Sequence, residues 1–93
     1  MRERSVSRTS RFKKDVDRLR SRGKNLAKLK GVLDRLIAGQ ALPPEFKDHP
    51  LRGDFAGSRD CHIEPDWIRI YTLEENGAHL RLERTGTHSD LFR

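Results

Sequence analysis

Residues 59–85, RDCHIEPDWIRIYTLEENGAHLRLERT, carry the pattern that decides the fold. Trp67 to Leu73 is apolar on both parities, as a strand covered on both faces must be, and predicts a central strand. Glu75-Asn76-Gly77 follows, with residue types that accept the positive φ of a tight turn, so a hairpin is expected there. Ala78 to Thr85 then pairs back with Leu80 and Leu82 turned inward. Upstream, Arg59 to Glu64 alternates. Cys61 and Ile63 share one face, and Asp60, His62 and Glu64 share the other. Pro65-Asp66 makes a tight turn or bulge between these strands. Leu51 to Phe55 reads as a further short strand, closed by a turn at Gly57-Ser58.

The N-terminal half has a different period. Glu3 to Arg8 can form a short strand, and Thr9 or Ser10 then offers an N-cap. From Arg11 to Arg22, Phe12, Val16 and Leu19 fall on one helical stripe, and Gly23 suits the stop. Asn25 can cap a second helix with Leu26, Leu29, Val32, Leu33, Leu36 and Ile37 on one broad face, ending at Gly39. The short break predicts an antiparallel helical hairpin. Pro43-Pro44 bars further helix. The fold class is therefore α+β: an N-terminal helical hairpin packed on one face of a mostly antiparallel sheet of four or five strands. The sheet's other face is expected to be polar, and the tail from Gly86 too short for an element of its own. Residues 1–93 read as one domain.

Charge and composition narrow the function. The chain has 20 Lys and Arg against 14 Asp and Glu, a net charge of +6, which favours an anionic partner. The helices carry Lys13, Lys14, Arg18, Arg20, Arg22, Lys24, Lys28 and Lys30, either a solvated face or a phosphate-binding one. The single cysteine, Cys61, excludes an intrachain disulfide and a paired-cysteine metal knuckle, and fits a reducing, cytoplasmic setting. No signal-peptide pattern and no apolar run of roughly 20 residues is present, so no membrane partner is expected.

Three histidines stand where chemistry is possible. His62 lies on the polar face of its strand, His49 precedes the sheet's first hairpin, and His88 follows its last strand. Asp66 sits at the turn after His62. His79, among charged residues, reads as solvated. Arg84 shares the parity of Leu80 and Leu82, which would turn its charge inward, to be paired by Asp60 or Asp66 or aimed at an anion. RNA supplies its own nucleophile, the 2′-hydroxyl. Its cleavage needs a base, an acid and a cation for the phosphorane, which histidine and arginine provide. Phe92 can stack a base. Three histidines and an aspartate could also hold zinc, but their spacing matches no compact metal motif, and no metal or other cofactor is expected.

The stretches KLKGVLDRLIAGQALPPEFKDHPL, RDCHIEPDW and ERTGTHSDLF, in this order and over nearly the whole chain, closely resemble YafQ-type toxins of the RelE/ParE superfamily. The resemblance implies a RelE-like fold and a ribosome-dependent endoribonuclease that cleaves mRNA in the ribosomal A site. It also implies a DinJ-like antitoxin as partner, in a hetero-oligomer, with a monomer when free. Carried over residue by residue, the family's catalytic set falls on His49, His62, Asp66, Arg84, His88 and Phe92. His88 is read as general acid and Asp66, through His62, as base or orienter, labels that can be exchanged. Arg84 would stabilise the phosphorane and His49 position the phosphate. The competing readings are a ParE-like gyrase-directed toxin and a nucleic-acid-binding module without chemistry.

Overall fold

The structure is a computed structural model that describes residues 3–92. In chain order the elements are β1 (Ser5–Arg8), α1 (Ser10–Ser21), α2 (Leu26–Ile37), β2 (His49–Pro50), β3 (Arg59–Glu64), β4 (Trp67–Glu74), β5 (His79–Gly86) and α3 (His88–Phe92). The five strands form one sheet in the order β1-β5-β4-β3-β2. Only the β1–β5 pair is parallel. The doubly apolar β4 lies at the centre, and its first five residues, Trp67 to Tyr71, are buried on both faces.

The helices start where the sequence offers caps. The Thr9 hydroxyl accepts from the Phe12 amide at 3.0 Å, and the Asn25 side chain from the Ala27 amide at 3.0 Å. Each cap satisfies an amide that the first helical turn leaves without a partner. Gly23 and Gly39 follow the helix ends at φ +79° and +74°, conformations that cost a residue with a Cβ. The inner stripes bring Phe12 and Leu19 of α1 and Leu29, Val32 and Leu36 of α2 onto Cys61, Trp67, Tyr71, Leu80 and Leu82 of the sheet.

Several expectations need correction. Residues 51–55 do not form a strand. The paired segment is His49–Pro50, at the sheet edge where a missing amide is tolerated, and Gly53–Phe55 is a 3₁₀ turn entered at Gly53 with φ +69°. Pro43-Pro44 stops the α-helix but opens a 3₁₀ turn over Pro44–Phe46, whose first position suits proline. The tail does form an element: in α3 the Thr87 hydroxyl accepts from the Asp90 amide at 3.1 Å and Asp90 Oδ2 from the Thr87 amide at 3.0 Å. That reciprocal cap lets a five-residue helix stand. The second face of the sheet is not left polar, because Ile68 and Ile70 are buried there beneath Leu91, Leu51 and Phe55. Nor is His79 merely solvated. Its ring nitrogens lie 2.6 Å from Ser5 Oγ and 2.8 Å from Ser7 Oγ and pin β1 to β5. Glu64 is displaced from the Asp60–His62 face by a register shift in β3, and Lys24 and Lys28 hold it at 3.2 and 2.8 Å.

Asp15 closes the sheet edge. β1 stops where Arg8 meets Leu82, so beyond that point β5 has no neighbouring strand on this side. Asp15, buried on α1, fills the gap. Its carboxylate accepts from the Thr85 amide at 3.1 Å, from Arg84 Nε at 2.7 Å and Nη2 at 3.1 Å, and from Arg18 Nη2 at 2.8 Å. Removing it strands a buried amide and a guanidinium. Asp15→Ala is expected to lower stability by about 3 kcal/mol, the low end for a broken buried pair because Arg18 stays partly wet. Urea denaturation of Asp15→Ala that matches the native curve would contradict this account.

Candidate active site

The side chains of β3, β4 and β5 that point away from the helices form two cross-strand rows. Register aligns His49, Asp60, Ile70 and Arg84 in one, and His62, Ile68 and Gly86 in the next. The chain after β5 folds over this surface as α3. Three imidazoles drawn from widely separated positions meet there. The rings of His49 and His62 have centroids 6.4 Å apart, and those of His62 and His88 6.2 Å apart. His62 is the middle member. Phe92 extends the line, its ring 5.3 Å from His88 and 5.7 Å from Phe55 in an edge-on contact.

Two carboxylates serve this row in different ways. Asp66, exposed at the β3–β4 turn, accepts from the His88 amide at 3.1 Å and lies 3.8 Å from His88 Nδ1. Asp60 is buried beneath the histidines. Its Oδ1 is 3.0 Å from His49 Nδ1, yet no hydrogen bond forms, because that nitrogen donates to the Lys47 carbonyl at 2.6 Å. Burial pushes the Asp60 carboxyl up from its ordinary value, while the charges of His49, His62 and His88 pull it back down. The reading of site residues did not include Asp60, although its parity with His62 was visible. It also missed Phe55, which no local pattern marks.

Arg84 reaches this face by a route that simple alternation does not anticipate. The β4–β5 register shifts between Ile70 and Tyr71, so Glu83 is an extra residue and Arg84 leaves the face of Leu80 and Leu82. Its partner is Asp15, not Asp60 or Asp66. Asp15 engages Nε and Nη2, and Nη1 has no partner among the described residues. Trp67 belongs to the core, donating to Thr85 Oγ1 at 3.0 Å. Cys61 is also core, and burial pushes its thiol up to about 12, far from a reactive thiolate. On the helices, Arg18, Arg20, Arg22, Lys24, Lys28 and Lys30 are all in ion pairs; Lys13 and Lys14 are in none among the described residues. The basic face is thus largely neutralised by its own neighbours. No group of three or more His, Cys, Asp or Glu placed to hold a metal ion occurs among the described residues.

A hairpin of helices on one face of a five-stranded sheet, with histidines gathered on the other, defines a class of small bacterial toxins. The E. coli DinJ–YafQ toxin–antitoxin complex superposes with a TM-score of 0.89 at 44% identity, over 98% of this chain and 99% of that one. A metal-bound toxin from Helicobacter pylori superposes at 0.87 and 36% identity, over 95% and 98%. The mRNA interferase toxin YafQ of E. coli K12 is 45% identical over 91 residues, 97% of either chain. The family model described as the bacterial toxin of type II toxin–antitoxin system, YafQ, matches residues 4–93. The chain belongs to that YafQ toxin family.

The position of His88 depends on Asp90. Arg22 donates to Asp90 at 2.8 and 3.3 Å, and Arg18 lies 3.7 Å away. The Arg22 hydrogen bond holds the Asp90 carboxyl well below the usual carboxylate range. A depressed carboxyl contributes stability that is complete above its unfolded pKa and is lost as pH falls toward the folded one. Asp90→Asn should therefore be less stable than the native protein at about pH 6, and should lose less on acidification to about pH 3. Thermal melts across this range check it, and equal acid losses in the two proteins would refute it.

Proposed function

We propose that the protein is the toxin of a type II toxin–antitoxin pair and an endoribonuclease that cleaves mRNA in the A site of the ribosome. The chain is read as one toxin domain, acting in the cytoplasm where ribosomes are, with a DinJ-like antitoxin as its neutralising partner. One observation carries the chemistry: His49, His62 and His88, 13 and 26 residues apart in sequence, form one row, with the ring centroid of His62 6.4 Å from that of His49 and 6.2 Å from that of His88.

The reaction asks for what that face holds. The 2′-oxygen attacks phosphorus as a base takes its proton. The P–O5′ bond breaks as an acid protonates the leaving oxygen. The products are a 2′,3′-cyclic phosphate and a free 5′-hydroxyl. A phosphodiester bridging the imidazole row would meet proton carriers on both sides. His88, steadied by Asp66, gives the proton to the leaving oxygen, and Asp66 acting through His62 handles the other transfer. His49 holds a phosphate oxygen, and Nη1 of Arg84 faces the phosphorane. The exposed Phe92, edge-on to Phe55, stacks the adjoining base.

The test is cleavage of an mRNA on ribosomes, read by primer extension with and without EDTA. Native protein should cut in both, and His88→Ala should cut about 10²–10⁴-fold more slowly with ribosome binding retained. Full-rate cleavage by His88→Ala removes it from the proton transfers. Loss of cleavage in EDTA, restored by added metal, makes this a metal enzyme. No cleavage combined with inhibition of gyrase supports the ParE-like alternative.

A further inference from the structure

Arg69 presents a problem that the catalytic face does not solve. It lies on central β4, facing the helices, with no exposure to solvent. Nη2 donates to the Leu29 carbonyl at 2.6 Å, but Nε and Nη1 have no partner among the described residues. No carboxylate acts on it; the groups that do are the Cys61 thiol and the Tyr71 hydroxyl, both neutral. Burial brings its pKa down to about 10, so it still carries its charge at neutral pH. A buried, unpaired guanidinium is costly, and an aliphatic side chain would serve this core position better.

What lies above Arg69 suggests an occupant. α1 rests on β5 and α2 on β3, and a gap between the two helices lies over β4. The gap is a groove of about 430 Å³ with Arg69 in its lining and apolar walls that include Phe12, Val16, Leu29 and Leu33. Of its other charged lining residues, Asp34 pairs with Lys30 and Asp17 with Arg20, whereas Arg8 and Lys13 have no ion-pair partner among the described residues, so the lining keeps a net positive charge.

We propose that this groove is a docking site for the protein partner, and that it receives an apolar segment whose carboxylate side chain pairs with Arg69. The proposal rests on the antitoxin reading above and names the chemistry of the contact. Apolar walls call for an apolar body, the unpartnered guanidinium edge for a carboxylate, and the unpaired Arg8 and Lys13 for acidic flanks. RNA does not fit, since a phosphodiester backbone offers nothing to the Phe12 and Leu29 walls. The groove lies on the opposite side of the sheet from the histidines. A partner held there grips the toxin by a surface that takes no part in cleavage.

The test uses the full chain and its co-encoded antitoxin, comparing native protein with Arg69→Met. Free Arg69→Met should unfold at higher urea than native protein and cleave mRNA at the native rate, which also shows that it folds. Its dissociation constant for the antitoxin should rise about 10²-fold. Arg69→Lys, which keeps the charge but not the fork, should fall between. Antitoxin affinity within twofold of native for Arg69→Met overturns the proposal. So does octanoate that stabilises native protein but not Arg69→Met while antitoxin affinity is unchanged; that result would assign the groove to a small amphiphile. Native protein that fails to bind the antitoxin sinks the partner reading itself, whereas binding that ignores Arg69 sinks only this contact.

Discussion

The carboxylate of Asp15 has almost no contact with water and yet answers donors from α1, from the β5 backbone and from Arg84. Its neighbours extend the pattern. Arg18 lies between Asp15 and Asp90, and Asp90 lies between Arg18 and Arg22. Positive and negative groups therefore alternate from the edge of β5 along α1 to the cap of α3. Asp15 and Asp90 are each flanked by guanidinium groups, so neither carboxylate is left without a counter-charge. The line also reaches both ends of the candidate site, because Arg84 stands at one end and α3 carries His88 and Phe92. The first helix, remote from the chemistry in sequence, sets where two of its side chains lie. Gly86 belongs to the same constraint: a Cβ there would meet Asp90 Oδ2 at 2.9 Å.

Small departures from regular pairing then decide which groups share a face. An uninterrupted β5 would put Arg84 with Leu80 and Leu82, among the apolar side chains beneath the helices. The extra residue at Glu83 sends it to the histidine side and leaves the core apolar. The shift at the end of β3 does the converse for Glu64, which leaves the histidines for Lys24, just before α2, and Lys28 within it. A carboxylate is thereby kept off the catalytic row and an arginine brought to its edge. Both irregularities flank the same strand pairings that carry Asp60 and His62. The remaining surface is closed by Leu91 over Ile68 and Ile70, so α3 is held by apolar burial as well as by charge.

Much of this was legible in the sequence because it depends on local periodicity. The stripes of Phe12–Leu19 and Leu29–Leu36, the caps at Thr9 and Asn25, and the doubly apolar β4 each state their own environment. The convergence of His49, His62 and His88 was accessible for a related reason: hairpin pairing fixes which residues lie opposite, and a short sheet has few places for its ends to go. Bulges were not legible, since one extra residue changes no composition, and the parity argument for Arg84 failed there. The partners of Arg84 and Asp90 were hidden too, because Asp15 and Arg22 are far away in sequence. The tail helix could have been found. Thr87 and Asp90 stand at the spacing of a reciprocal cap, and that motif outweighs the shortness of the segment.

Among the described residues, two of the buried polar groups left incompletely paired lie on opposite sides of the same sheet. Asp60 has an oxygen without a donor under the histidines, and Arg69 has two nitrogens without acceptors under the helices. Groups of this kind are uncommon in folded proteins because each forfeits hydration without recovering a hydrogen bond. A domain of this size has little stability to lose to them. Packing gives no reason for either one, since an apolar residue of similar volume would fit both positions at lower cost. A reason appears once each is considered with what can approach it. The imidazoles above Asp60 are the groups a bound phosphodiester would engage, and His49 Nδ1 already lies 3.0 Å from the open oxygen. A carboxylate entering the groove would complete Arg69. On this argument the free protein carries a penalty on each face that only association relieves. Both ligands are anionic, but the histidine face calls for a phosphodiester that can bridge imidazoles and the groove for a carboxylate on an apolar body, so the two surfaces select different ligands.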